Sequence, residues 1–348
     1  MIHNSGSGST GRVWILLGNR LGDNNQLFAL AEAIGLPFEA KQITYNWVGK
    51  LAFLRDERLL YVTRAAKQRL APPWPDIVIG LGYASMPVAR YVRTQSGGKT
   101  KHIHLGNPRT DLSKLDLVLT TPQYSLEQAD NVVVLPLPIG NPAKGVTVTN
   151  EEKSWLEDFP RPRRLVAVGG STKQWQIDPD KLTETIRHLQ DERKKHGGSV
   201  IVVTSPRTQA SLATVLDRQL TDSDGRVSNF PRFASLLAEC DEFHVTADSV
   251  SMLAEAILTG KPVAMIPINR SLRGRVGDWL QRYVWNFGSN SDMAQFWQYL
   301  ITNNLVGHVR APVASKVADS TGLAVQAVRR LLENSPRKPA RKKQARGR

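Results

Sequence analysis

The sequence holds one cysteine, Cys240, in 348 residues. That excludes an internal disulfide and a cysteine-rich metal site, and it fits a reducing compartment. Cys240 follows Leu236, Leu237 and Ala238 and reads as a small buried hydrophobe rather than a nucleophile. No apolar run approaches the roughly 18 residues of a membrane-spanning helix. The start, MIHNSGSGSTGR, lacks the apolar core of a signal peptide. These absences point to a cytoplasmic chain. Acids are scarce: 31 Asp and Glu face 46 Lys and Arg, a net charge of +15. Seven cations, Arg337, Lys338, Arg341, Lys342, Lys343, Arg346 and Arg348, follow Pro336 with no acid among them, and the body stays basic without them. Such a surface suits phosphate. No aromatics interleave with the basic tail, which argues against nucleic acid. There is no G-x-G-x-x-G after the first strand, no Walker loop and no Tyr-x-x-x-Lys pair, so a nucleotide-sugar epimerase or dehydrogenase is a poor reading.

The length is large for one core, and two domains are expected. Residues 1–11 read as a flexible lead-in. Residues 12–140 read as an N-terminal Rossmann-like α/β domain, with strands at Val13 to Leu17, Phe38 to Ile43, Ile77 to Leu81, Lys101 to Leu105, Leu117 to Thr120 and Asn131 to Leu135. Prolines with little regular pattern mark 141–163 as a linker. Residues 164–310 repeat the α/β grammar, 311–335 hold a late amphipathic helix, and 336–348 form a disordered basic tail.

The stretch from Glu242 to Pro267 organises the rest. Two apolar, β-branched runs flank a helix-length segment, which is one βαβ turn of a parallel sheet. Asp248 and Ser249 stand where an N-cap belongs, Glu255 follows one to two turns in, and Gly260 with Pro262 ends the helix. Propensity does not explain why Thr246, Asp248, Ser249, Ser251 and Glu255 gather at the carboxyl end of a strand. Open α/β sheets bind ligands there, and a helix N-terminus suits a phosphate. Gly169-Gly170-Ser171-Thr172-Lys173 follows another strand as a nest for anionic oxygens. Thr204-Ser205-Pro206-Arg207-Thr208 follows a third and brings a guanidinium fit for a diphosphate. Together these three turns outline a nucleotide pocket.

In the first domain, Gly18 to Gln26 is a glycine-bearing turn, read either as an ordinary turn capped by Asp23 or Asn24 or as a site. Gly80-Leu-Gly82-Tyr83 and His104-Leu-Gly106-Asn107-Pro108-Arg109 also end strands. His102 and His104 face one side of a strand and, without a third ligand, read as structural. Asp-x-Asp, used by metal-dependent transferases, occurs at Asp178–Asp180 and Asp222–Asp224. Neither follows a strand; the first fits an N-cap with proline and the second a turn, so no essential metal is expected.

Thr246 to Val263, T-A-D-S-V-S-M-L-A-E-A-x-x-x-G-K-P-V, resembles the signature of the mitochondrial fission family named for elongated mitochondria. Its bacterial members resemble glycosyltransferases of the GT-B architecture, two Rossmann-like α/β domains with parallel sheets facing across a cleft. The resemblance implies that Glu255 holds the ribose of a nucleotide-sugar donor. Gly169 to Lys173, Ser205, Arg207, Thr208, Thr246, Asp248, Ser249, Ser251 and Met252 would complete the donor site. The turn at Gly22 and Asp23 resembles a family element on the acceptor side, which would hold Gly22, Asn24, Gln26, Gly82, Tyr83 and Arg109, with Asp23 as candidate general base. Asn107 stands where the family more often has an arginine. The implied activity is sugar transfer from a nucleoside diphosphate-sugar to a lipid-linked or polysaccharide acceptor of the lipopolysaccharide-core type, with no cofactor. The implied place is the inner face of an anionic membrane, reached by the basic tail. The last helix is expected to pack back on the first domain. Eukaryotic members act on mitochondrial membranes without a settled activity, so a non-catalytic membrane-associated adaptor is the alternative.

Overall fold

The computed structural model describes residues 12–46, 59–140, 145–172, 174–275 and 293–333. The lead-in 1–11, Lys173 and the basic tail 336–348 lie outside the described residues. The chain divides into two units: one takes the described residues up to Thr120, Glu127–Leu135 and the chain from Thr321, the other Thr121–Leu126 and Pro136–Ser320.

The first unit runs β1 (Val13–Leu17), α1 (Leu21–Ile34), β2 (Phe38–Gln42), α2 (Arg64–Gln68), β3 (Ile77–Leu81), α3 (Met86–Gln95), β4 (Lys101–Leu105), β5 (Leu117–Thr120) and β6 (Val132–Val134). All six strands are parallel, in the order β2-β1-β3-β4-β5-β6. Strands such as VWILL are apolar throughout because a parallel sheet is covered on both faces. Trp14, Leu16 and Val78 pack with Val88, Ala89 and Val92 of α3. The chain winds from β1 to β2 and then returns to the far side of β1 for β3, so its direction reverses between β1 and β3.

The second unit runs α4 (Asn150–Glu157), β7 (Arg163–Val168), β8 (Trp175–Gln176), α5 (Pro179–His196), β9 (Ser199–Thr204), α6 (Ala210–Gln219), β10 (Gly225–Val227), α7 (Phe233–Glu239), β11 (Glu242–Thr246), α8 (Val250–Ile257), β12 (Val263–Ile266), β13 (Asn269–Arg270) and α9 (Met293–Thr302). Its parallel sheet has the order β10-β9-β7-β11-β12, with the reversal between β7 and β11. Side chains of β7 alternate between two cores. Leu165 and Ala167 join Leu236, Leu253 and Phe296 on one face; Val166 and Val168 join Leu182, Ile186 and Leu212 on the other. A last helix, α10 (Ser320–Glu333), buries Ala324 and Val328 completely and is counted with the first unit from Thr321 on.

Of the segment 141–163 that the prolines suggested as a linker, the described residues 145–163 carry α4 and are counted with the second unit. A capping box starts α4: Thr149 Oγ1 accepts from the Glu152 N–H at 3.2 Å, and the Glu152 carboxylate accepts from the Thr149 N–H at 3.0 Å. The carboxylate also takes the Arg232 guanidinium at 2.7 and 2.8 Å, the Arg232 N–H at 3.1 Å and the Ser235 hydroxyl at 2.8 Å. Arg232, with these bonds, holds the Glu152 carboxyl well below the usual carboxylate range. Glu152→Gln is expected to cost about 1–2 kcal/mol, the scale of a weakened charged hydrogen bond. A lowered melting temperature checks it, and an unchanged one would reduce the network to ornament.

Of the two Asp-x-Asp motifs, Asp178 caps α5 with Pro179 in the first turn. Asp224 is buried, accepting from the Thr221 N–H and hydroxyl and from Gln190, each at 2.8 Å, and pairing with Arg193. Both are explained by folding. Among the described residues no helix is long and apolar enough to cross a membrane.

Candidate functional site

The reversal between β7 and β11 brings two of the predicted turns together. The Gly169 N–H donates to Thr246 Oγ1 at 2.8 Å, the Gly170 N–H donates to Asp248 Oδ2 at 2.8 Å, and the Thr246 hydroxyl donates to Asp248 Oδ1 at 2.7 Å. The glycine N–H groups read as a phosphate nest are therefore already satisfied by side chains from the end of β11. The need for glycine is steric. A Cβ at 169 would collide with the Asp248 carboxylate, and one at 170 with the backbone of Arg207. Asp248 consequently does not cap α8. Ser249 does, its Oγ accepting from the Met252 N–H at 3.4 Å. Burial raises the Asp248 carboxyl above its ordinary value, opposed by the bonds from Thr246 and Gly170 and by the Arg207 charge.

Most of the other hydroxyls also hold the rim together. The Thr208 hydroxyl donates to the Gly169 carbonyl at 2.6 Å, and Ser205 Oγ accepts from the Arg207 N–H at 3.2 Å. Ser171 Oγ accepts from the Ile177 N–H at 3.2 Å, and Thr172 Oγ1 from the Trp175 N–H at 3.0 Å. Three features are not taken up by the rim in this way. Arg207 is exposed, and its charge acts on Asp248. The first amides of α8, at Val250 and Ser251, precede its hydrogen-bond ladder. Glu255, on the same helix as half-buried Ser251 and Met252, has no hydrogen-bond partner among the described residues, and burial pushes its carboxyl up to about 7. A carboxyl so placed awaits donors.

Sequence reasoning missed the support for this rim. β8 and β13 pair as a two-residue antiparallel ribbon. The Arg270 guanidinium lies 4.3 Å over Trp175, whose ring meets Trp297 at 4.6 Å and 70°. The Trp297 indole N–H donates to the Ala247 carbonyl at 2.8 Å, one residue from Asp248. Strands of two residues show no periodicity, so no pattern announced them.

In the first unit, α1 starts at Leu21, ahead of the Asp23 and Asn24 read as its caps. Asp23 and Asn24 thus sit inside its first turn and neither caps it. Instead the Asn24 side chain clamps Gly18, accepting from its N–H at 3.0 Å and donating to its carbonyl at 3.1 Å, while Gln42 donates to the same carbonyl at 3.2 Å. Burial raises the Asp23 carboxyl, with Arg20 opposing. Gly22 and Gln26 are half-buried near it in sequence. Gly82, at φ 76, turns the chain after β3 into exposed Tyr83. The Arg109 guanidinium lies 5.9 Å from the Tyr83 ring. His102 and His104 are buried in an edge-to-face pair, 6.1 Å between ring centres. Among the described residues no group of three or more His, Cys, Asp or Glu could hold a metal.

The model of the family described as Mitochondrial fission ELM1 matches residues 21–284. A curated relative, the mitochondrial fission protein ELM1 of Arabidopsis thaliana, is 25% identical over 293 residues, 72% of this chain and 66% of the relative. The chain thus spans just under two thirds of that relative's length. Among solved structures, the S. aureus MnaA-UDP co-structure has a TM-score of 0.55 at 14% identity, covering 95% of this chain and 99% of that one. The UDP-GlcNAc 2-epimerase of Neisseria meningitidis bound to UDP-GlcNAc has 0.50 at 14% identity, covering 93% and 100%. Arabidopsis thaliana UGT89C1 has 0.52 at 10% identity, covering 94% and 91%. At these identities the likeness is one of fold: α/β, GT-B-like, with two Rossmann-like parallel-sheet units.

Proposed function

The chain belongs to the Mitochondrial fission ELM1 family, and from that premise we propose that it is a glycosyltransferase. The donor is a nucleoside diphosphate-sugar bound by the second unit, and the acceptor is bound by the first. Glu255 carries the reading: a half-buried carboxyl, raised by burial and without a hydrogen-bond partner among the described residues, on the helix that begins where the sheet order reverses. A carboxylate accepts from both ribose hydroxyls at once and rejects a ligand that leaves it unpaired. The α8 N-terminus and Arg207 supply positive potential for the diphosphate, with no metal required. Asp248, Thr246, Gly169, Gly170, Ser171, Thr172, Ser205 and Thr208 form the frame that holds them.

In the transfer, the acceptor hydroxyl attacks the anomeric carbon, the bond to the diphosphate breaks, and the nucleoside diphosphate leaves with the bonding electrons. Asp23 takes the hydroxyl proton; burial makes its carboxylate a stronger base. The acceptor we favour is a lipid-linked cell-envelope saccharide of the lipopolysaccharide-core type, met at the inner face of a membrane to which the basic tail is drawn.

A thermal-shift series with nucleoside diphosphates in the presence of EDTA tests the pocket. One of them, a uridine or guanosine diphosphate, is expected to raise the melting temperature, since a ligand at 100 times its Kd stabilises by about 2.7 kcal/mol. No shift with any at millimolar concentration would leave the adaptor reading in its place. Epimerisation of UDP-GlcNAc without an acceptor would replace transfer by the other chemistry of this fold.

A further inference from the structure

We propose that the first unit carries a recognition site for an oxyanion, a phosphate group on the acceptor, built from Arg109, Tyr83 and Asn107. The proposal rests on the reading of this unit as the acceptor side. Strands β3 and β4 are neighbours, so Tyr83 and Arg109, which follow them, emerge side by side at the carboxyl ends of a parallel sheet, beside its point of reversal. Gly106 at φ 84 turns the chain outward after β4. Arg109 then adopts φ 52, a left-handed conformation rare for a residue with a side chain. Asn107 holds it there, its Oδ1 accepting from the Arg109 N–H at 2.8 Å. The residue that departs from the commoner family arginine thus acts as the positioning group for the arginine two places on.

The guanidinium that results is exposed, lies 5.9 Å from the Tyr83 ring, and pairs with no carboxylate among the described residues. Arg161, Arg163, Arg193, Arg226 and Arg232, by contrast, all meet acids. A guanidinium carried on a backbone held by Asn107, near an aromatic ring and without a carboxylate partner among the described residues, keeps its N–H fork for a planar or tetrahedral oxyanion.

Phenylglyoxal labelling of the full chain with peptide mapping reads Arg109, Arg207 and the exposed control Arg218 in one digest. Millimolar sodium phosphate, against sodium chloride of equal ionic strength, is expected to reduce labelling of Arg109 at least fivefold and to leave Arg218 unchanged. Asn107→Ala is expected to remove that protection, and Asn107→Ser, which restores a local acceptor oxygen, to return it. Arg109 labelled equally in both salts, unlabelled in chloride, or falling in step with Arg218 overturns the proposal. The donor reading is judged separately, by protection of Arg207 with uridine or guanosine diphosphate, so either can fail alone. Protection of Arg109 by phosphatidic acid vesicles but not by phosphatidylcholine puts the phosphate on a lipid, and protection by soluble phosphate alone puts it on a free acceptor.

Discussion

Glu255→Gln is expected to raise the melting temperature at pH 8 while weakening nucleoside diphosphate binding roughly 10- to 150-fold, the equivalent of about 1.5–3 kcal/mol for hydrogen bonds to a charged group. The stability gain follows from the direction of the shift. Burial raises this carboxyl from 4.5 to about 7. The native state therefore holds the proton more tightly than the unfolded chain. Its contribution is complete below pH 4.5 and is lost as pH rises through 7, at a cost of about 3 kcal/mol once the group is ionised in both states. Glutamine removes that cost and also removes the charge that two ribose hydroxyls would satisfy. Binding should need the ionised form, so wild-type affinity should fall as pH drops below about 7, and the variant's weaker affinity should not. Denaturant titrations at pH 6 and pH 8, paired with calorimetric titration of the nucleotide, separate the two effects. A variant that loses stability and affinity together would make Glu255 a structural residue.

The short apolar runs were legible because each is bounded by turn residues: β3, β4 and β5 begin and end at the residues that periodicity gave. Helix α4 was missed although Thr149 and Glu152 have the spacing of a capping box, because the surrounding prolines dominated the reading. Roles within the candidate site were less legible than its place. The sequence put Asp248 beside a helix start, and capping is what such a residue does locally. Only the sheet order, which sets β7 against β11, shows that its carboxylate faces Gly170 instead. Likewise Asn24 looked like a cap and proves to be a clamp on Gly18, a choice fixed by where α1 begins. Periodicity and turn chemistry report local preference. Which donor meets which acceptor across 78 residues is decided by topology.

Acid should act on the first unit in the opposite sense to its action on Glu255. His102 and His104 are both fully buried on β4, and none of their ring nitrogens has a partner among the described residues. Burial holds both at about 3 instead of 6.5, with Arg93 and Arg90 adding to the effect at His102 and His102 itself at His104. Arg93 is in turn paired with Asp116 at 3.3 Å, which fixes its charge nearby. A histidine whose native value is depressed contributes stability that is complete above pH 6.5 and is lost as pH falls toward 3. At pH 5 the loss is about 2 kcal/mol for each ring, by linkage, and less than twice that for the pair because each charge opposes the other. Lowering the pH from 7 to 5 should therefore destabilise the first unit while relieving Glu255 in the second. Calorimetry of the full chain at both pH values is expected to show the transitions of the two units moving in opposite directions. His102→Leu with His104→Leu should flatten the pH dependence of the first unit alone. A slope that survives both substitutions would trace the acid sensitivity to other groups.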